Sequence, residues 1–163
     1  VGGSCFLPRV AGARGVSTLL PQGDPASPNL PLDLLVRDGE YVHSRPCFDR
    51  SGRHVLFMRA PAGDDPNYTV QANSSPWSLW RVPRNGGSPE MFFEHPEIRA
   101  TRPDPCWSTG KIAFSGIRGT RAELWTINED GTGLTHVPVG DPPRERLFYP
   151  SWYPDGDRIA VTD

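Results

Sequence analysis

The chain has 163 residues, 19 prolines, 17 glycines and a formal net charge of −2. So many turn formers exclude long helices, and the near balance of charge excludes the basic stripe of a nucleic-acid binder. Five Trp, four Tyr and seven Phe exclude a disordered chain, and no apolar run approaches the roughly 20 residues of a transmembrane segment.

Residues 1–43 form a Pro/Gly-rich N-terminal segment. Its start at Val1 is expected to reflect processing or an incomplete chain. VGGSC (1–5) falls short of a lipoprotein signal, because it lacks a Leu three places before Cys5 and an apolar region upstream. LLPQGDPASPNLPLD (19–33) reads as an extended tether. LDLLVRDG (32–39) is the only stretch here with strand-like content, and it is expected to pair with the next unit or to act as a closing strand. The three cysteines, Cys5, Cys47 and Cys106, are odd in number and form no C-x-x-C pair, so this is not a disulfide scaffold.

From residue 44 onward the chain repeats itself. PCFDRSGRHVLF (46–57), PCWSTGKIAF (105–114) and PSWYPDGDRIAV (150–161) share Pro, a small residue, an aromatic, a polar turn with Gly, and a β-type apolar run. Aligned in this way, Phe48, Trp107 and Trp152 correspond, as do Cys47, Cys106 and Ser151. A second element recurs between them: SLWRVPRNGG (78–87) matches ELWTINEDGTG (123–133). Leu79 to Leu124 and Trp107 to Trp152 are both 45 residues apart.

The first copy carries extra residues in APAGDDPNYTVQANSSP (60–76), a long polar loop. Such an insertion is what a repeat on a rigid scaffold tolerates. Pro and Gly interrupt every would-be helix, which excludes paired-helix repeats of similar length. HVLFM, KIAFS, RIAV, LWRV and LWTI are short and rich in β-branched or aromatic residues. EMFFE (90–94) and LTHVP (134–138) supply a fourth strand. Asp155-Gly156 and Ser51-Gly52 turn strand one into strand two, and Asp130-Gly131 and Asn85-Gly86 turn strand three into strand four. Four-stranded units of about 40–45 residues are propeller blades.

PSWYPDGDRIAV resembles the P-x-W-S-P-D-G-x-x-I-A-F signature of TolB-like, WD40-like β-propeller repeats, and ELWTINEDGTGLTHV resembles its second half. The likeness covers residues 44–163. The copies depart from it at Tyr153, at Ser108-Thr109-Gly110, and at Phe48 with Asp49-Arg50-Ser51. It implies an all-β fold of four-stranded antiparallel blades at about 44–95 and 101–138, with an incomplete blade at 147–163. Propellers close with roughly four to eight blades, so about two and a half blades make an incomplete ring. Three resolutions are open: a fragment of a longer protein, oligomerisation or a larger complex that completes the ring, or strands supplied by residues 1–43.

The residues show little chemistry. No G-x-S-x-G elbow occurs. His43, His54, His95 and His136 are scattered, and no metal site is expected. NEDGTG (128–133) lacks the spacing of a calcium loop and reads as a hairpin turn. Asp64-Asp65 is a solvated pair in the polar loop. The acceptors Asn67-Tyr68-Thr69 and Asn73-Ser74-Ser75 matter only in a eukaryotic secretory setting. Cys47 and Cys106, placed on innermost strands, are expected to lie near one another or, more simply, to pack as small apolar residues.

HSRP (43–46) and ATRPDP (100–105) put Arg45 and Arg102 just before the innermost strands, at the expected mouth of a central channel. There they suit the carboxylate of an acidic partner. The resemblance implies a non-catalytic scaffold for protein–protein interaction, periplasmic or secreted, with protein partners and no cofactor. The alternative it leaves open is the propeller portion of a larger enzyme, a prolyl oligopeptidase-like peptidase or a multi-subunit redox complex, with catalysis outside this chain.

Overall fold

VLFM within HVLFM and IAF within KIAFS are unbroken apolar runs because both faces of their strands are covered, which removes the usual alternation of buried and exposed positions. In the computed structural model, which describes residues 16–19, 32–36, 40–61 and 76–163, these runs are the second strands of two four-stranded antiparallel sheets. The first sheet is β3 (Tyr41–Phe48), β4 (His54–Pro61), β5 (Ser78–Pro83) and β6 (Glu90–Phe93). The second is β7 (Arg99–Pro105), β8 (Lys111–Arg118), β9 (Arg121–Asn128) and β10 (Thr135–Val137). β11 (Phe148–Trp152) and β12 (Ile159–Thr162) form a two-stranded sheet, and β1 (Val16–Leu19) pairs with β2 (Leu32–Val36). No helix is found among the described residues.

Each sheet is a meander, and successive sheets stack face to face through apolar side chains. Leu56 and Met58 of β4 meet Ile112 and Phe114 of β8 in one buried cluster, with Leu79, Ile98, Ala100 and Ile127. The opposite face of β8 contributes Ala113, which packs with Leu124 and Leu147 against Trp152, Ile159 and Val161 of the third sheet. The opposite face of β4 contributes Val55 and Phe57, which pack with Val82 against Leu35 and Val36 of β2. Alternate residues on one strand therefore serve two neighbours. β2 occupies, against the first sheet, the side that the first sheet occupies against the second.

β2 falls within the anticipated 32–39 stretch, of which residues 37–39 lie outside the described residues, as does the polar loop from 62 to 75 and with it Asp64, Asp65 and both Asn-x-Ser/Thr sites. The expectation that no other strand precedes residue 43 is corrected: Val16–Leu19 pairs with β2, Leu19 opposite Leu32. Four residues alternating around Val16 and Thr18 are too short a signal to stand out without their partner.

The alignment of the second copy also needs correction. Phe48 stands opposite Val55 and Trp152 opposite Ile159, but the residue opposite Ile112 is Pro105, not Trp107. The hairpins agree: Asp49 N–H donates to His54 C=O at 3.0 Å, Cys106 N–H to Lys111 C=O at 2.7 Å, and Tyr153 N–H to Arg158 C=O at 2.9 Å. Trp107 therefore lies in a turn, 58% exposed, whereas Trp152 packs into the core. The Leu-Trp element keeps its place, with Leu79 opposite Met58 and Phe93, and Leu124 opposite Ser115 and Val137. The hairpin glycines Gly52, Gly86, Gly131 and Gly156 all have φ between 65° and 88°.

Cys47 and Cys106 are likewise not equivalent. The counterpart of Cys47 is Asp104, opposite Ala113 as Cys47 is opposite Leu56. Cys47 Sγ lies 3.4 Å from the Pro103 carbonyl, while buried Cys106 shares a hydrogen bond with Ser108 Oγ at 3.2 Å.

Asp104 ties the second sheet to the third, since Trp152 N–H donates to its Oδ2 at 2.7 Å. Burial pushes its carboxyl above the usual value of 3.8, against the pull of that bond. The charged form is thus disfavoured in the fold, so its contribution to stability is complete below the unfolded value and is lost as pH rises through the folded one. Asp104→Asn keeps the acceptor without the charge. It is expected to melt above the parent at pH 7 and to converge with it toward pH 4, in thermal unfolding followed by tryptophan fluorescence.

Candidate functional site

The three first strands, β3, β7 and β11, share an irregularity. In each ladder the pairing slips by one residue: Ser44 opposite Met58 is followed by Cys47 opposite Leu56, Thr101 opposite Ser115 by Asp104 opposite Ala113, and Phe148 opposite Thr162 by Ser151 opposite Ala160. Each slip is a β-bulge holding one extra residue. Inside it sits an X-Pro dipeptide, and X takes a left-handed conformation: φ is 55° at Arg45, 56° at Arg102 and 52° at Tyr149. A proline ordinarily drives its predecessor to extended backbone, and positive φ is uncommon for a side chain with a Cβ. Three matching departures re-aim three matching side chains.

They converge. Arg45 donates from Nη2 to the Tyr149 hydroxyl at 3.5 Å, and its Cζ lies 5.1 Å from the ring centroid. Arg102 Cζ lies 4.4 Å from the same ring and 5.2 Å from that of Phe148. Two guanidiniums therefore share one phenol, the arrangement in which a ring quadrupole holds a cation. Arg45 and Tyr149 are exposed and Arg102 is half-buried. Buried Nε and Nη1 of Arg102 have no hydrogen-bond partner among the described residues.

The Arg102 charge, and after it that of Arg45, holds the Tyr149 hydroxyl below the usual phenol range, while slight burial opposes. Tyrosinate absorbance should show one phenol ionising early as pH rises. Tyr149→Phe should remove that step, and Arg102→Gln should move it upward. A titration unchanged by Arg102→Gln would contradict the geometry.

Arg45 and Arg102, anticipated from the sequence just ahead of the first strands, lie within them. Sequence reasoning missed Tyr149. Its signal was present: SRP, TRP and FYP place Arg45-Pro46, Arg102-Pro103 and Tyr149-Pro150 at matching positions. Aligning Pro105 rather than Pro103 with Pro46 concealed it.

Other candidates are structural. Asp49 accepts from Ser51 Oγ, from the Arg53 and His54 amides and from His54 Nδ1 at 2.9 Å; these bonds outweigh burial and hold its carboxyl below the usual value. That network closes a hairpin. Asp130 in NEDGTG accepts from the Thr132 amide and hydroxyl, which makes it a turn. Among the described residues no group of three His, Cys, Asp or Glu gathers as a metal-ligand set. A cleft of about 190 Å³ beside Asp49, His54 and Glu129 lies at the hairpin end and is lined by neither Arg45 nor Arg102. No helix of the described residues is long and apolar enough to cross a membrane.

No family model and no curated protein matches the chain. Solved structures do. A protein assigned as a TolB from Agrobacterium tumefaciens superposes with a TM-score of 0.58 at 18% identity, over 81% of this chain and 47% of its own. A chain of a nidogen/laminin complex gives 0.59 at 14% identity, over 81% and 43%. An acylaminoacyl peptidase gives 0.51 at 17% identity, over 74% and 17%. The chain thus spans less than half the length of the first structures it matches. At such identities these likenesses establish architecture alone: the chain has the fold of a TolB-like β-propeller, present as part of a ring.

Proposed function

We propose that this chain is a non-catalytic protein-interaction module, a scaffold that presents its first-strand face to a protein partner in the periplasm or outside the cell. The observation that carries the reading is the convergence of Arg45, Arg102 and Tyr149 from three successive sheets. Stacked sheets hold such residues rigidly, and sites on rigid elements need little ordering when a partner arrives. TolB-like architecture supports the same reading. A photoactivatable residue at Ser44, beside Arg45, is expected to yield a discrete adduct with one protein in cells producing the natural gene product. The same residue at Met91, exposed on the outermost strand β6, is expected to yield none. Adducts at neither position would overturn the proposal.

A second reading rests on the likeness to part of an acylaminoacyl peptidase. Here the chain would be the propeller portion of a larger hydrolase, with catalysis elsewhere. Labelling of the parent gene product by a serine-directed fluorophosphonate would favour it over a free-standing scaffold.

A further inference from the structure

We infer that Arg45, Arg102 and Tyr149 form a carboxylate-recognition site, which reads an acidic side chain or a chain-terminal carboxylate of the partner. The inference deepens the binding role and rests on it. Its first support is that both arginines stand outside the ion pairs that hold five others. Arg81 pairs with Glu90, Arg118 with Glu123, Arg121 with Glu145, Arg144 with Asp163 and Arg158 with Asp155. Arg45 and Arg102 have no acidic partner among the described residues, although the protein as a whole is slightly acidic. Two like charges around one ring repel each other, and an arriving anion relieves that repulsion.

The second support is unmet hydrogen bonding. Among the described residues, two buried nitrogens of Arg102 find no acceptor beneath the rings of Phe148 and Tyr149. Buried donors are nearly always paired, and leaving them unpaired is costly. Tyr149, 48% exposed, lies between them and solvent, its ring centroid 4.4 Å from Arg102 Cζ. The third support is the strained backbone repeated at all three positions, a feature that persists at ligand sites because it sets side-chain direction.

The planar fork of arginine matches a carboxylate edge to edge. A phosphate fits the same fork, so inorganic phosphate is the competing probe. The carboxylate is the anion that an unmodified protein partner carries.

The test follows the arginine Nε–Hε resonances of the ¹⁵N-labelled protein, assigned through Arg45→Gln and Arg102→Gln. Four probes are titrated: acetyl-Ala-Glu-Ala amide, acetyl-tri-alanine with a free terminal carboxylate, acetyl-Ala-Gln-Ala amide, and inorganic phosphate. At least one carboxylate peptide is expected to shift both resonances saturably, and which one does so separates side chain from terminus. The Gln peptide is expected to leave them unmoved. Binding should weaken about tenfold in Arg102→Gln and less in Tyr149→Phe, which keeps the ring and loses one donor. Because Arg45 is exposed, Arg45→Gln serves as the variant whose folding is not at risk. Equal response to the Gln peptide, tighter binding of phosphate than of either carboxylate, or no response at all would overturn the site. A Ser44 adduct undiminished by Arg45→Gln and Arg102→Gln would leave the binding role standing and sink the carboxylate site alone.

Discussion

Phe114→Ala is expected to lower the unfolding free energy by about 3–5 kcal/mol, the range for deleting a buried aromatic ring. Phe114 is 0% exposed and sits at the centre of the cluster that joins the first two sheets, its ring 5.3 Å from that of Phe93 at 48°. The neighbours that would close the cavity, among them Leu56, Ile112 and Leu79, are held by ladder hydrogen bonds on both sides. They cannot collapse inward without breaking register. Small domains have only about 5–15 kcal/mol in hand, so the loss is a large share of the whole. Urea unfolding followed by tryptophan fluorescence should show a lower midpoint with an unchanged slope. Trp107→Ala is the control: the string alignment makes that residue a core aromatic, whereas the structure places it in an exposed turn, where changes stay within about 0.5 kcal/mol. A large loss for Trp107 and a small one for Phe114 would reverse the register described above.

The contrast shows which features the sequence carried and which it did not. Leu79-Trp80 and Leu124-Trp125 were legible because their strands are flanked by fixed glycine turns and hold a spacing of 45 residues that the ladders preserve. Trp107 misled because Pro105-Cys106-Trp107 copies Pro150-Ser151-Trp152 letter for letter at two of three places. The true counterpart of Trp152 is Pro105, a slip of two residues. A slip of one turns every side chain to the wrong face and is detectable from pattern. A slip of two restores the faces, so hydrophobic alternation cannot reveal it, and only cross-strand pairing can. The same slip hid Tyr149. Arg45 and Arg102 were found as charged residues near an inner strand, but neither their left-handed backbone nor their meeting at one phenol is written in local sequence. Both depend on where three sheets bring their bulges.

Gly116→Ala is expected to destabilise the chain by about 3 kcal/mol, at the upper end for overpacking a dense interior. Gly116 lies two residues beyond Phe114 on β8. A Cβ there would stand 2.4 Å from Cδ1 and 2.7 Å from Nε1 of Trp125, and 2.8 Å from Cγ2 of Ile98. Ile98 is 3% exposed and half-buried Trp125 lies against His136 with ring centroids 5.0 Å apart, so moving either one costs packing. The first sheet shows why the position is free to vary. Phe57 stands opposite Trp80 as Phe114 stands opposite Trp125, so the counterpart of Gly116 is Arg59. There the guanidinium lies over the ring of Trp80, its Cζ 4.2 Å from that centroid and 3.7 Å from that of Tyr41. One copy lets the indole rest on bare backbone and the other interposes a cation, so neither residue suits the other's site. Arg59→Gly should accordingly open a gap above Trp80, and Gly116→Arg should prevent the second sheet from closing. Chemical denaturation of Gly116→Ala and Gly116→Ser decides the matter, the two variants being expected to lose similar amounts because the first carbon makes the clash. A loss below about 1 kcal/mol in both would mean that Trp125 swings freely and that the close approach of indole to backbone does not hold this sheet together.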